Sequence, residues 1–147
     1  MNKEELQIYL EKLYQKACSL KSEGEIPVVA GLVLSDGTFI LKGNEVEKDN
    51  NPLSHAEINV IKEGLKISKN RYLKDATMIV TLEPCLMCLG AILKTRIKAL
   101  YYIVDDPQYG GLSHYHAFVD DVLQVSQIQD SRFNNLLNDC FNKLRKR

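Results

Sequence analysis

The chain has 147 residues, 45% of them hydrophobic and 26% charged, with 19 basic and 19 acidic side chains that cancel. That length suits one domain burying about two thirds of its unfolded surface, and the balanced charge argues against broad nonspecific binding of nucleic acid. No apolar run approaches the roughly 20 residues that span a bilayer, and the acidic start is unlike a signal peptide, so a single cytoplasmic domain over residues 1–147, without membrane contact, is expected.

In chain order, residues 3–21 place Leu6, Leu10, Leu13, Ala17 and Leu20 on one stripe of an amphipathic helix. "IPVVAGLVL" (26–34) and "FILK" (39–42) are short apolar runs joined through Asp36-Gly37, a strong hairpin signal. A polar loop covers 43–53. Residues 54–68 are expected as a helix with the apolar stripe Ile58, Ile61 and Leu65. Ser54 is its expected N-cap, with Glu57 three positions on as in a capping box. "ATMIVTL" (76–82) is a buried strand candidate, "CLMCLGAILKT" (85–95) a short helix behind Pro84, and "IKALYYIV" (97–104) the next strand. A loop is expected over 105–118 and a strand over 121–126. From about 130 to 146, Phe133, Leu136, Leu137, Cys140, Phe141 and Leu144 form the clearest helical stripe of the chain. Strands alternating with helices after a hairpin indicate a three-layer α/β domain, its sheet antiparallel at first and parallel later.

Four cysteines in a chain without export features point to a reducing compartment, where a close pair is more often metal-binding or catalytic than disulfide-bonded. Cys18 and Cys140 sit in helical stripes and read as small buried hydrophobes. Cys85 and Cys88 stand three apart at a helix start and admit three readings. A redox dithiol would use the helix start to lower a thiol pKa. A structural zinc site needs four protein ligands, and the close histidines His114 and His116 have the wrong spacing for it. A catalytic zinc site needs three ligands and an open position. "SHAEI" (54–58) offers His55 as the third ligand. Glu57 stands two residues on, where it can lean back toward the same helix start. Taken singly, Glu57 is a capping acid and His55 a surface residue. Together, H-x-E at one helix start and P-C-x-x-C at another form the signature of zinc-dependent base deaminases.

"SHAEI", "LKDATMIVTLEPCLMCLGAILKTRI" and "DCFNKLRKR" together resemble the bacterial TadA-type tRNA adenosine deaminases of the cytidine deaminase superfamily. The likeness runs from about Ile26 to the end, and the N-terminal helix fits it. The resemblance implies an α/β/α fold on a mixed five-stranded sheet that begins with an antiparallel hairpin. It implies Zn²⁺ on His55, Cys85 and Cys88, with Glu57 as general acid and base. It places Asn44 as a base-contacting residue, Val28 and Leu82 as pocket walls, and Asp106 on the substrate side. A turn residue at Asn44 and plain strand core at Val28 and Leu82 are the alternative readings. The implied activity is hydrolysis of the wobble adenosine of a tRNA anticodon to inosine, by a homodimer. The implied RNA contacts are Lys143, Arg145 and Lys146 in a basic tail that could equally only balance a helix C-terminus.

The sequence departs from the family in "IVDDPQYGGLSHYHAF" (103–118). Asp105 stands where an Arg-Asp pair is usual, an added negative charge beside the expected RNA path. Tyr109, His114, Tyr115 and His116 offer stacking surfaces there, or simple loop packing. Two other functions stay open at this stage. One is a deaminase of a free base or nucleoside, of guanine, cytosine or cytidine type. The other is a noncatalytic zinc-stabilised RNA-binding subunit, against which Glu57 argues.

Overall fold

The computed structural model describes residues 1–115, 119 and 121–145. Helix α1 (Lys3–Ser22) starts at Asn2, whose side chain accepts from the Glu5 amide, and buries Leu10, Leu13, Ala17 and Leu20 as its spacing requires. β1 (Val29–Val33) and β2 (Phe39–Gly43) form the expected hairpin. Gly37 turns it with a φ of +90°, a conformation open to glycine without strain, and Asp36 accepts from the Thr38 amide. The loop expected over 43–53 contains a short helix, α2 (Val46–Asp49), whose amides at Glu47 and Lys48 are satisfied by the buried Glu25 carboxylate.

Helix α3 (Ala56–Ser68) begins one residue later than a Ser54 cap would allow. Its N-cap is His55, without a side-chain capping bond, and the Ser54 hydroxyl instead donates to Asp49 at 2.6 Å. The capping box does not form, because Ser54 is engaged by α2 and Glu57 is turned into the protein. The buried stripe is Ala56, Val60, Ile61 and Gly64, while Ile58 and Leu65 lie at its margins. β3 (Thr77–Leu82), α4 (Leu86–Lys94) and β4 (Ala99–Val104) follow as a parallel crossover unit. The stretch expected as loop holds another short helix, α5 (Gly111–Tyr115). β5 is Gln124–Gln127 rather than 121–126, and α6 (Ser131–Arg145) closes the described chain.

The sheet order is β2-β1-β3-β4-β5, with β1 antiparallel to both neighbours and β3, β4 and β5 parallel, as expected of a mixed sheet opening with a hairpin. α1 and α6 touch each other and cover one face, and α3 and α4 pair on the other. Between these layers Leu32, Met78, Ile79, Val80, Leu100 and Phe133 are buried almost completely. The consequence for function is geometric. β3 delivers the chain to α4 at the carboxyl end of the parallel strands, where crevices of open α/β sheets lie. α3 points its own N-terminus at the same place. No helix of the described residues is long and apolar enough to cross a membrane.

Candidate metal centre and base pocket

His55 and Cys85 are the N-caps of α3 and α4, both in extended backbone and neither with a side-chain capping bond. Cys88 lies one turn into α4 and is fully buried. Two helix starts thus aim three donors at one point. The sulfurs of Cys85 and Cys88 lie 3.6 and 3.5 Å from Nδ1 of His55. With Zn–S of about 2.3 Å and Zn–N of about 2.0 Å, tetrahedral angles put a sulfur and a nitrogen on one zinc about 3.5 Å apart. The donor set therefore fits zinc in type, number and spacing, and among the described residues it is the one such cluster.

The electrostatics of the cluster agree. A hydrogen bond from Cys88, and then one with His55, hold the Cys85 thiol down to about 4. That bond to Cys85, together with burial, pushes the Cys88 thiol far up. The hydrogen bond to Cys85 raises His55. The cluster thus holds one thiolate readily, and a dication would draw off the second proton. Glu57 is 3% exposed, and burial pushes its carboxyl up to about 7 against the lowering influence of its backbone hydrogen bond and of His55. A carboxyl poised there can both take and give a proton near neutrality.

A cavity of about 380 Å³ opens over these residues. Its walls include His55, Glu57 and Cys85 on the metal side, and Val28, Asn44, Leu82 and Asp106 around them. All the expected substrate-side residues are therefore brought to one space, which has the size of a small-ligand pocket. Several have a second engagement. The Asn44 side-chain oxygen accepts from the Val46 amide at 2.9 Å, so the turn reading of this residue holds alongside its place in the pocket. Asp106 accepts from the Tyr109 amide. Ile26, Tyr109, Glu83 and Phe141 complete the wall. Phe141 was legible only as part of a helical stripe, because its exposure to the pocket depends on how α6 crosses the sheet. Glu83 carried one unused signal, an acid at the end of a buried strand immediately before Pro84-Cys85. In the basic tail, Lys143 and Arg145 fall within α6, whereas Lys146, like His116 in the loop, lies outside the described residues.

This combination of a two-helix metal centre on a mixed sheet with a buried acid beside it defines a zinc-dependent deaminase. Residues 3–104 match the family model of the cytidine and deoxycytidylate deaminase zinc-binding region, and the chain belongs to that family. Its relatives are more particular. It is 30% identical over 147 residues to the tRNA-specific adenosine deaminase of Bacillus subtilis, covering 96% of this chain and 91% of that one. It is 37% identical over 142 residues to the tRNA-specific adenosine deaminase of Haemophilus influenzae, covering 96% and 80%. A solved structure from work on A-to-I editing by tRNA:A34 deaminases superposes with a TM-score of 0.77 at 35% identity, over 84% of this chain and 99% of that one. The guanine deaminase from Bacillus subtilis superposes with a TM-score of 0.63 at 32% identity, over 82% and 73%.

Proposed function

We propose that this protein is a zinc-dependent tRNA adenosine deaminase that converts the wobble adenosine of an anticodon to inosine. The observation that carries the proposal is the three-donor centre of His55, Cys85 and Cys88, with Glu57 buried beside it in a cavity of base-accommodating size. His55, Cys85 and Cys88 would hold zinc, which when bound would supply a water activated at neutral pH. Glu57 takes the proton of the attacking water and delivers it to the ring nitrogen next to the amine-bearing carbon. It then serves the departing ammonia, so one carboxyl acts as base and as acid. Asn44 holds the polar edge of the flipped base, Val28 and Leu82 pack its faces, and Asp106 borders the entry.

The RNA reading draws support from α6. Its Phe141 lines the pocket and the helix continues to Arg145, so the basic end of the chain follows directly from a pocket wall. Lys143, Arg145 and Lys146 are accordingly proposed as phosphate contacts. A homodimer is proposed with them, supported by Leu53 and Leu86, apolar side chains 58% and 55% exposed close to His55 and Cys85 in sequence. A single domain acting in the cytoplasm completes the proposal. The test is direct. Purified, zinc-loaded protein is incubated with an anticodon stem-loop carrying a wobble adenosine and, separately, with free guanine, cytosine and cytidine. Inosine in the stem-loop alone is expected. Turnover of a free base without stem-loop turnover would replace this reading by the free-base one.

A further inference from the structure

Glu83 is 2% exposed and immediately follows β3, the strand that leads to Cys85. Its carboxylate takes no part in the metal centre. Instead Oε2 accepts from the Ser113 amide at 2.7 Å, and Oε1 accepts from the Ser113 hydroxyl at 2.7 Å and from the Asp106 amide at 3.2 Å. One side chain thus grips both ends of the segment 106–113. The next two residues continue the attachment. The Pro84 carbonyl accepts from the Gly111 amide at 2.7 Å, and Cys85 forms an isolated antiparallel bridge with Gly110. The approach is so close that a Cβ on Gly110 would overlap the Glu83 carboxylate and the Asp106 carbonyl. Residues 83, 84 and 85 therefore act as a template, and the segment's position is registered to a metal-ligating cysteine. Asp106 and Tyr109, both pocket residues, are carried on that segment.

We propose that Glu83 is a positioning residue for substrate, fixing the 106–113 segment so that Asp106 and Tyr109 stand at a set distance from the metal centre. The inference deepens the function proposed above and rests on it. An acceptor-only carboxylate matches three donors, whereas the isosteric amide of Glu83→Gln must turn an N–H group toward at least one of them. A buried mismatch of that kind releases the weakest partner first, the peptide end at Asp106.

The experiment compares wild type, Glu83→Gln and Ser113→Ala for zinc content, for amide hydrogen exchange over 105–115, and for kcat and KM on the anticodon stem-loop. Absence of stem-loop turnover by wild type would overturn the parent function, while the exchange measurement still reports on the segment. With wild type active, Glu83→Gln is expected to keep its zinc, exchange faster in 105–115, and raise KM about tenfold with kcat within about threefold. Ser113→Ala, which removes one of the three bonds and leaves the carboxylate in place, should raise KM about threefold in the same direction. If Glu83→Gln does not fold, the Ser113→Ala result alone decides. Unchanged KM in a variant whose segment exchanges faster would overturn the proposal. So would loss of zinc with Glu83→Gln beside a normal Ser113→Ala enzyme, since that pattern assigns Glu83 to the stability of the metal centre.

Discussion

Two parts of the pocket wall are built on opposite principles. The metal side, residues 54–88, is made of two helix starts set on a buried sheet, and Cys88 there is fully buried. Its donors are placed by the same packing that makes the core. The opposite side, residues 105–115, is a largely polar segment whose Tyr109 is 67% exposed and which is held by one buried carboxylate, a few backbone bonds and a single core side chain, Leu112. The first part can hardly vary without losing the fold. The second can change charge, as Asp105 does, without disturbing a core side chain. We therefore assign the chemistry of the site to the metal side and propose that the segment facing it adjusts the choice of substrate, alongside Asn44, Val28 and Leu82.

The sharpest way to break this division is to attack the metal side. Cys88→Ser is expected to abolish both zinc binding and deamination, and to lower the melting temperature, because it removes a ligand in a fully buried place. Zinc content by elemental analysis checks it. Retained zinc would mean that the three donors do not act as one centre. Glu57→Ala separates chemistry from binding. It is expected to keep zinc and stem-loop affinity while kcat falls by about 10²–10⁴, the usual worth of a positioned acid–base group. Near-normal turnover would remove Glu57 from the mechanism.

The same division explains what could be read from sequence. α1 and α6 are bounded to within a residue or two because their apolar stripes follow the helical period for several turns. The metal donors were legible because catalytic zinc needs few residue types, at spacings that survive in a linear string. The cap of α3 was not, because the Ser54 hydroxyl found a tertiary partner in Asp49. β5 was displaced because its pairing residues, Gln124–Gln127, are exposed on both faces, while the apolar Val122 and Leu123 precede it. α5 is tied through Ser113 to an acceptor 30 positions earlier in the chain, and no local pattern announces such a bond. Apolar periodicity is local information. Glu83 to Ser113 is not.

On the substrate side the expected effects are smaller and depend on salt. Deleting residues 143–147 removes Lys143, Arg145, Lys146 and Arg147. Stem-loop affinity should fall about tenfold near 0.1 M salt, and the slope of log affinity against log salt should lessen by about 1 for each phosphate that the tail no longer neutralises. Zinc content and the melting temperature should stay near those of the full chain. An unchanged slope would leave the tail as a helix end balanced by cations.

The smallest effect is also the most specific to this chain. Asp105 is exposed just past the end of β4, where the resemblance to the TadA-type deaminases leads one to expect a basic residue. For a phosphate about 8 Å away in water, one unit of charge is worth about 0.5 kcal/mol, so reversal by Asp105→Arg is worth about 1 kcal/mol before screening. A Debye length of about 8 Å at physiological salt reduces that by about a factor of three, leaving roughly twofold in affinity. The prediction is thus a roughly twofold gain in stem-loop binding near 0.15 M salt, growing as salt is lowered, with kcat unchanged. Titrations of wild type and variant at three salt concentrations check it, since the two curves should converge at high salt. Equal affinities at low salt would place the RNA path away from residue 105. The difference between this segment and the family's would then concern the base inside the pocket, through Asp106 and Tyr109, and not the backbone outside it.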